Sequence, residues 1–254
     1  MIQKKFLFVS FLFALLIGFS ACDEGDNYDR TWDYAIIGGH NSSLDNHRTI
    51  TVSNNIFAAP DLDNNKNLQT GDCVYLNYTV DYDNQPQKNY WTATNIIISE
   101  VFKQKLLSVL PNGNHVYNDY KVPFENISCS YSPNYRGKMF VRLAYQKAKD
   151  EEVTYELFCN SADVSETGEI NMYLRGKSNN PGTTQEKSAF AETYVFDAYD
   201  FISTYGLDKN LGDGAIFRSV NVIFNLIERF DDDGNPIYSR GNGGKSMEIG
   251  YYTK

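Results

Sequence analysis

Six stretches of this chain place apolar side chains on alternate positions, and that period of two is the feature that most narrows its fold. Val74, Leu76, Tyr78 and Val80 alternate with Cys73, Tyr75, Asn77 and Thr79. Met139, Val141, Leu143 and Tyr145 alternate with Phe140, Arg142, Ala144 and Gln146. The same spacing joins Val153, Tyr155, Leu157 and Cys159, then Ile170, Met172 and Leu174. It returns in Val220, Val222, Phe224 and Leu226, and in Met247, Ile249 and Tyr251. Successive residues of a strand point to opposite faces, so this pattern marks strands buried on one side, as in antiparallel sheets. Helical spacing occurs twice. Phe102, Leu106, Val109 and Leu110 show it behind Ser99 but serve equally as a closing strand, and Tyr199–Tyr205 offers one turn or two. The chain is therefore expected to be all-β.

The connectors carry turn chemistry: Asp83-Asn84-Gln85-Pro86, Pro111-Asn112-Gly113, Asn179-Asn180-Pro181-Gly182 and Asp233-Gly234-Asn235-Pro236. The stretch between Leu110 and Pro123 is the natural boundary, because both flanks hold enough alternating positions for a core and the connector holds almost none. This divides the chain into residues 30–112, suited to a small barrel, and 113–254, suited to a β-sandwich, with the two expected to fold separately.

The N-terminus reads as an address. Lys4 and Lys5 precede an apolar run from Phe6 to Phe19, too short to span a bilayer as a helix, and small residues lead to Cys22. Residues 1–21 are expected to be a signal peptide. Phe19-Ser20-Ala21-Cys22 resembles a bacterial lipobox, which implies that the Cys22 thiol carries lipid and anchors the protein in the outer membrane. Asp23, Glu24 and Asp26 open an acidic tether over residues 22–29. Such a cluster resembles the surface-export signal of lipoproteins from gut and oral anaerobic Gram-negative bacteria, and it implies display on the cell surface.

The formal net charge of −9 repels phosphate backbones, which excludes nucleic acid as a partner class. With Cys22 acylated, Cys73, Cys129 and Cys159 remain, so at most one disulfide forms, and Cys129 with Cys159 is the first pair to test.

The segment Thr70-Gly71-Asp72-Cys73-Val74-Tyr75-Leu76-Asn77-Tyr78-Thr79-Val80 resembles the central strand of NigD-like lipoproteins. Ile96–Leu107 matches the closing segment of that family's N-terminal domain. Gly137–Tyr145 matches the opening strand of its C-terminal domain, and 169–175, 194–201 and 218–230 follow in order. The resemblance implies an OB-like barrel followed by an immunoglobulin-like antiparallel β-sandwich. It also implies a non-enzymatic surface lipoprotein, with immunity against a secreted toxin as the associated role. A glycan-binding accessory protein of an outer-membrane uptake system is the alternative.

Motifs for chemistry are few. Ser239–Ser246 ends like a phosphate-binding loop but lacks the first glycine and leads into strand-like residues instead of a helix. Asp231–Asn235 and Asp61–Asn65 place oxygens on alternate positions, yet neither keeps the glycine register of a calcium loop, so they read as a hairpin turn and a solvated loop. His40, His47 and His115 lack metal-ligand spacing, although paired use of His40 and His47 stays open. No catalytic residue, metal site or cofactor is expected. Trp32 and Trp91 are the best candidates for contacting a glycan. The loops Ser178–Glu186 and Asp231–Gly244, rich in Asn, Gly and charge, are the expected display loops.

Overall fold

The computed structural model describes residues 28–83, 90–106, 108–110, 124–164, 169–178, 186–212, 214–233, 236–240 and 247–253. Residues 1–21, where a signal peptide is expected, lie outside them with Cys22, Asp23, Glu24, Asp26, His115 and most of the Ser178–Glu186 loop, as do the connector at 111–120 and parts of Asp231–Gly244. The described residues are mostly β. No helix among them is long and apolar enough to cross a membrane.

The first sheet comprises β1 (Tyr28–Asn41), β2 (His47–Val52), β3 (Asn55–Ala58), β4 (Cys73–Asp81) and β5 (Ala93–Phe102). Its order is β3-β2-β1-β4-β5, with every pair antiparallel. The strands after it are β6 (Gln104–Leu106), β7 (Ser108–Leu110), β8 (Phe124–Ser130), β9 (Lys138–Ala148), β10 (Val153–Val164), β11 (Glu169–Ser178) and β12 (Lys187–Asp197). They continue through the helix α1 (Tyr199–Tyr205) to β13 (Leu207–Gly212), β14 (Ala215–Phe230), β15 (Pro236–Arg240) and β16 (Met247–Thr253). These form a four-stranded sheet, β6-β12-β9-β8, and a seven-stranded sheet, β13-β14-β11-β10-β7, with β15 and β16 also on β14.

One open alternative is decided, and two features differ from expectation. The Phe102–Leu110 stretch takes the strand alternative, because β6 and β7 complete the edges of both later sheets. The change of sheet therefore falls between Phe102 and Gln104, ahead of the boundary drawn at residue 112. The later sheets are not purely antiparallel, since β10–β7, β11–β14 and β12–β6 pair in parallel. β11 and β14 are separated in the chain by β12, α1 and β13, a connection long enough to bring two strands together in the same direction.

Among the described side chains, the alternating positions of all six stretches are buried, apart from Met247, which is half-buried. Met139, Val141, Leu143 and Tyr145 of the four-stranded sheet face Tyr155, Leu157, Met172, Leu174, Val222 and Ile249 of the seven-stranded sheet across one core. Phe201 and Ile202 of α1 plug one end of that core. Burying each such side chain is worth about 1.5–3 kcal/mol against exposure. The first sheet folds over its own core of Ala35, Ile37, Ile50, Phe57, Val74, Leu76, Tyr78 and Val80.

A third cluster joins the two units. Cys73 and Phe102, with Tyr34, Ile36 and Tyr75 on the outer face of the first sheet, pack on Tyr135, Phe140 and Val195. Ser132 caps a 3-10 turn that Pro133 opens, and Arg136 and Gly137 reverse the chain in left-handed conformations. That turn drives Tyr135 into the seam. Its hydroxyl donates to the Tyr34 carbonyl at 2.9 Å and accepts from the Ser53 N–H at 2.8 Å. Burial pushes the hydroxyl up to about 12, against the hydrogen bond from Ser53, so it stays a donor. Ser132 Oγ donates to the Ser53 carbonyl and Asn134 Nδ2 to the Asn54 carbonyl. At the other end of the seam, Lys138 Nζ reaches Asp197 at 2.9 Å and Gln104 Oε1 at 2.6 Å, while Gln104 Nε2 donates to the Gly71 carbonyl.

Candidate binding site

β1 places Tyr34 and Ile36 on the face that meets the sandwich, and the same alternation sets Trp32 one step beyond, where the two units part. Trp32 is 49% exposed. Its ring stacks on Tyr75 of β4, with centroids 5.3 Å apart and planes at 27°. Tyr75 leans on Tyr34 at 5.3 Å, and Tyr34 stacks on Phe140 of β9 at 4.8 Å. A continuous run of rings thus leads from the buried seam to an open indole. The Tyr34 hydroxyl shares a hydrogen bond with Thr193 Oγ1 at 3.0 Å, which fixes this wall to β12.

The floor of the corner is the outer face of the four-stranded sheet. Pairing of β9 with β12 sets Phe140 beside Val195, Arg142 beside Thr193, Ala144 beside Ala191 and Gln146 beside Ala189. The first row is sealed in the seam. The next rows open to solvent: Arg142, Gln146, Ala189 and Ala191 are exposed, while Thr193 and Ala144 are half-buried. Burial raises the pKa of the Tyr75 hydroxyl, Tyr34 adds to the effect, and nearby Arg142 opposes it. The corner therefore offers a π face, a guanidinium, an amide and hydroxyls beside small side chains that leave room for a ligand.

Trp91 does not join Trp32. It is 46% exposed, lies 6.4 Å from Phe57 and meets Tyr82 edge-on at 5.3 Å, on the side of the first sheet that covers its own core.

His40 and His47 have structural partners. His47 Nδ1 bonds Asp63 Oδ2 at 2.6 Å, and His40 Nδ1 bonds the Asn46 carbonyl at 2.7 Å while lying 4.0 Å from Asp63. The other oxygen of Asp63 accepts the Arg48 N–H at 2.7 Å. Burial works against the Asp63 charge, but the bonds from Arg48 and His47 outweigh it and hold the carboxyl below its usual range. Asp61 instead accepts from the Ile96 N–H. The two acids of that loop therefore serve different strands and do not converge, and no group of three metal-ligating side chains appears among the described residues. Asp231 Oδ1 caps the Asp233 N–H, as a turn does.

Cys73, Cys129 and Cys159 are thiols in this structure. Cys129 lies on the four-stranded sheet and Cys159 on the seven-stranded one. Burial pushes the Cys73 and Cys129 thiols up to about 12, where they are poor nucleophiles.

The densest titratable group was not visible in the sequence. Glu192 Oε2 accepts from Tyr145 and Tyr194, each at 2.8 Å, and Lys105 Nζ sits 4.4 Å over the Tyr194 ring while donating to the Tyr155 carbonyl. Burial, reinforced by Glu192, raises the pKa of Tyr145 and Tyr194, so both hydroxyls stay protonated and donate. The group closes an end of the sandwich core with satisfied bonds. Its parts stand 47 and 2 residues from Glu192, a separation that no local motif reveals.

No family model matches the chain, and no curated protein matches its sequence. Solved structures do share the fold. One, from Parabacteroides merdae and described as uncharacterized, is 15% identical with a TM-score of 0.62, covering 87% of this chain and 98% of its own. A protein from Parabacteroides distasonis described as toxin-related is 11% identical with a TM-score of 0.50, covering 88% and 93%. A NigD-like immunity protein from Bacteroides caccae is 13% identical with a TM-score of 0.47, covering 87% and 96%. At these identities the likeness is one of fold.

Proposed function

We propose that this chain is a lipid-anchored, non-enzymatic binding module displayed on the outer membrane, holding its ligand in the corner between an OB-like first domain and an immunoglobulin-like sandwich. The observation that carries this reading is the Trp32–Tyr75 stack. It is an ordered aromatic surface left open beside Arg142 and Thr193, whereas His47 with Asp63 and Tyr145 with Glu192 are tied into structural bonds. Fixed rings with adjacent polar groups give affinity and orientation without supplying an acid, base or nucleophile. In this reading Cys22 carries the acyl anchor, Asp23, Glu24 and Asp26 direct export, and the tether holds the module outside the cell.

Protection against a secreted antibacterial protein is the first role to test. One similar fold is described as toxin-related, and that description motivates testing this role. A deletion strain is expected to grow normally alone and to lose survival under a competitor's toxin, with Trp32→Ala and Arg142→Ala failing to restore it. Equal survival of both strains under challenge removes this role. The exposed indole also favours a second reading, capture of a glycan for an uptake system, because sugar rings stack on aromatic faces. Binding on a glycan array that disappears in Trp32→Ala selects it. Hydrolysis of an ester, peptide or glycoside, abolished by a single Asp, Glu, His or Ser substitution, overturns the non-enzymatic reading.

A further inference from the structure

The second exposed tryptophan has no place in the corner, and its position in the fold indicates what it meets. Tyr28, where β1 begins, pairs with Asp81 at the end of β4, and Val80 pairs with Ala93 at the start of β5. Tyr82 and Trp91 therefore face each other across the mouth of the β4–β5 hairpin, beside the point where the tether enters the sheet. Tyr82 is 38% exposed and Trp91 46%. Their edge-on contact, and the packing of Trp91 near Phe57, hold both rings in place at this end.

We infer that Tyr82 and Trp91 form a membrane-interface contact that seats the tether end of the first sheet on the lipid surface. The inference rests on Cys22 being the lipid anchor. Tyr28 lies six positions after Cys22. A fully extended chain spans at most about 3.6 Å per residue, so this end stays within roughly 20 Å of the acylated cysteine. Tyr and Trp are suited to the headgroup layer because one part of each ring system is apolar and the other donates a hydrogen bond. Asp81 and Asp83 flank Tyr82 and repel anionic headgroups, so the surface that fits is a neutral, zwitterionic one. Seating this end fixes the height and tilt of the module, which a tether alone leaves free.

The test uses the full lipidated protein carrying Trp32→Phe, so that Trp91 is the only tryptophan, reconstituted in phosphatidylcholine vesicles with and without bromine on the upper acyl chain. Trp91 emission is expected to shift to the blue on reconstitution and to lose intensity in the brominated vesicles. If the Trp32→Phe protein does not fold, the difference between unaltered protein and Trp91→Phe supplies the same reading. Mass spectrometry of the N-terminal peptide reports acylation independently. An acylated protein whose Trp91 is neither shifted nor quenched overturns the membrane contact and leaves the anchor standing. A peptide without acyl chains removes both. Unquenched Trp91 emission that responds to a soluble saccharide overturns the contact in favour of a second sugar site.

Discussion

The sandwich and the first sheet handle their apolar faces in different ways. The sandwich turns the faces of two sheets toward each other and buries them in one core. The first sheet uses one face of β1 and β4 for its own core and lends the other to the sandwich through Tyr34, Ile36, Cys73 and Tyr75. The main core of the sandwich is closed upon itself, whereas the outer face of the first sheet, with Phe140 and Val195 of the sandwich, is buried only where the units touch. Where that second face runs past the seam, it becomes the Trp32 corner. The binding surface and the weld are two ends of one aromatic run, so whatever loosens the weld displaces one wall of the site.

The largest test of this difference is Tyr135→Ala. Removing a fully buried aromatic ring costs about 3–5 kcal/mol, and here it also breaks both hydroxyl bonds between the units. Urea unfolding is expected to show the first unit melting ahead of the sandwich in this variant. Tyr135→Phe keeps the ring and leaves the Ser53 N–H and the Tyr34 carbonyl without it, for about 1–3 kcal/mol. A fragment beginning at Tyr117 lacks β6 and β7 and uncovers Phe140 and Val195. It is expected to fold less stably than the same residues within the whole chain, as amide exchange would show.

Gly137→Ala strikes the same junction through the backbone. Gly137 holds φ at +89°, and an added Cβ would lie 2.8 Å from the backbone of Tyr199. A loss of about 1–3 kcal/mol is expected, together with displacement of α1.

Asp63→Asn acts far from the seam and should be milder, about 1 kcal/mol at neutral pH. Its pH dependence has a definite sign. The folded-state pKa of Asp63 lies below the unfolded one, so its contribution is complete above the unfolded value and is lost as pH falls through the folded value. Between pH 5 and pH 3 the unaltered protein should therefore lose more stability than Asp63→Asn, measured as the difference in urea midpoints. Smallest in stability is Trp32→Ala, within about 1 kcal/mol because the ring is half exposed. Its effect should appear in ligand binding instead, which separates the corner from the weld.

Much of the architecture was legible because burial on one face imposes a period of two, and every alternating run became a strand whose described apolar positions are buried or half-buried. The seam was written there less openly. β4 carries Cys73 and Tyr75, and β9 carries Phe140, on the faces that a one-sided reading assigns to solvent. Apolar residues on both faces of a strand are the mark of a third layer, and that signal was present. The parallel pairing of β11 with β14 was not legible, because it depends on how a long connection returns in space. The same is true of His47 with Asp63, 16 residues apart, and of Tyr145 with Glu192, 47 apart. Trp32 was legible as a candidate for contacting a glycan, but only the structure shows that its support is Tyr75, with Arg142 near that ring.

Both tryptophans lie in the first unit, while the backbone signal of the far ultraviolet comes from every sheet. Equilibrium unfolding in urea, followed by tryptophan fluorescence and circular dichroism on the same samples, therefore reads the first unit and the whole molecule separately. A sealed seam predicts that the two curves coincide in a single transition for the unaltered protein and separate in Tyr135→Ala. Separate transitions in the unaltered protein would contradict the weld, and with it the claim that the corner is a fixed site shared by the two units.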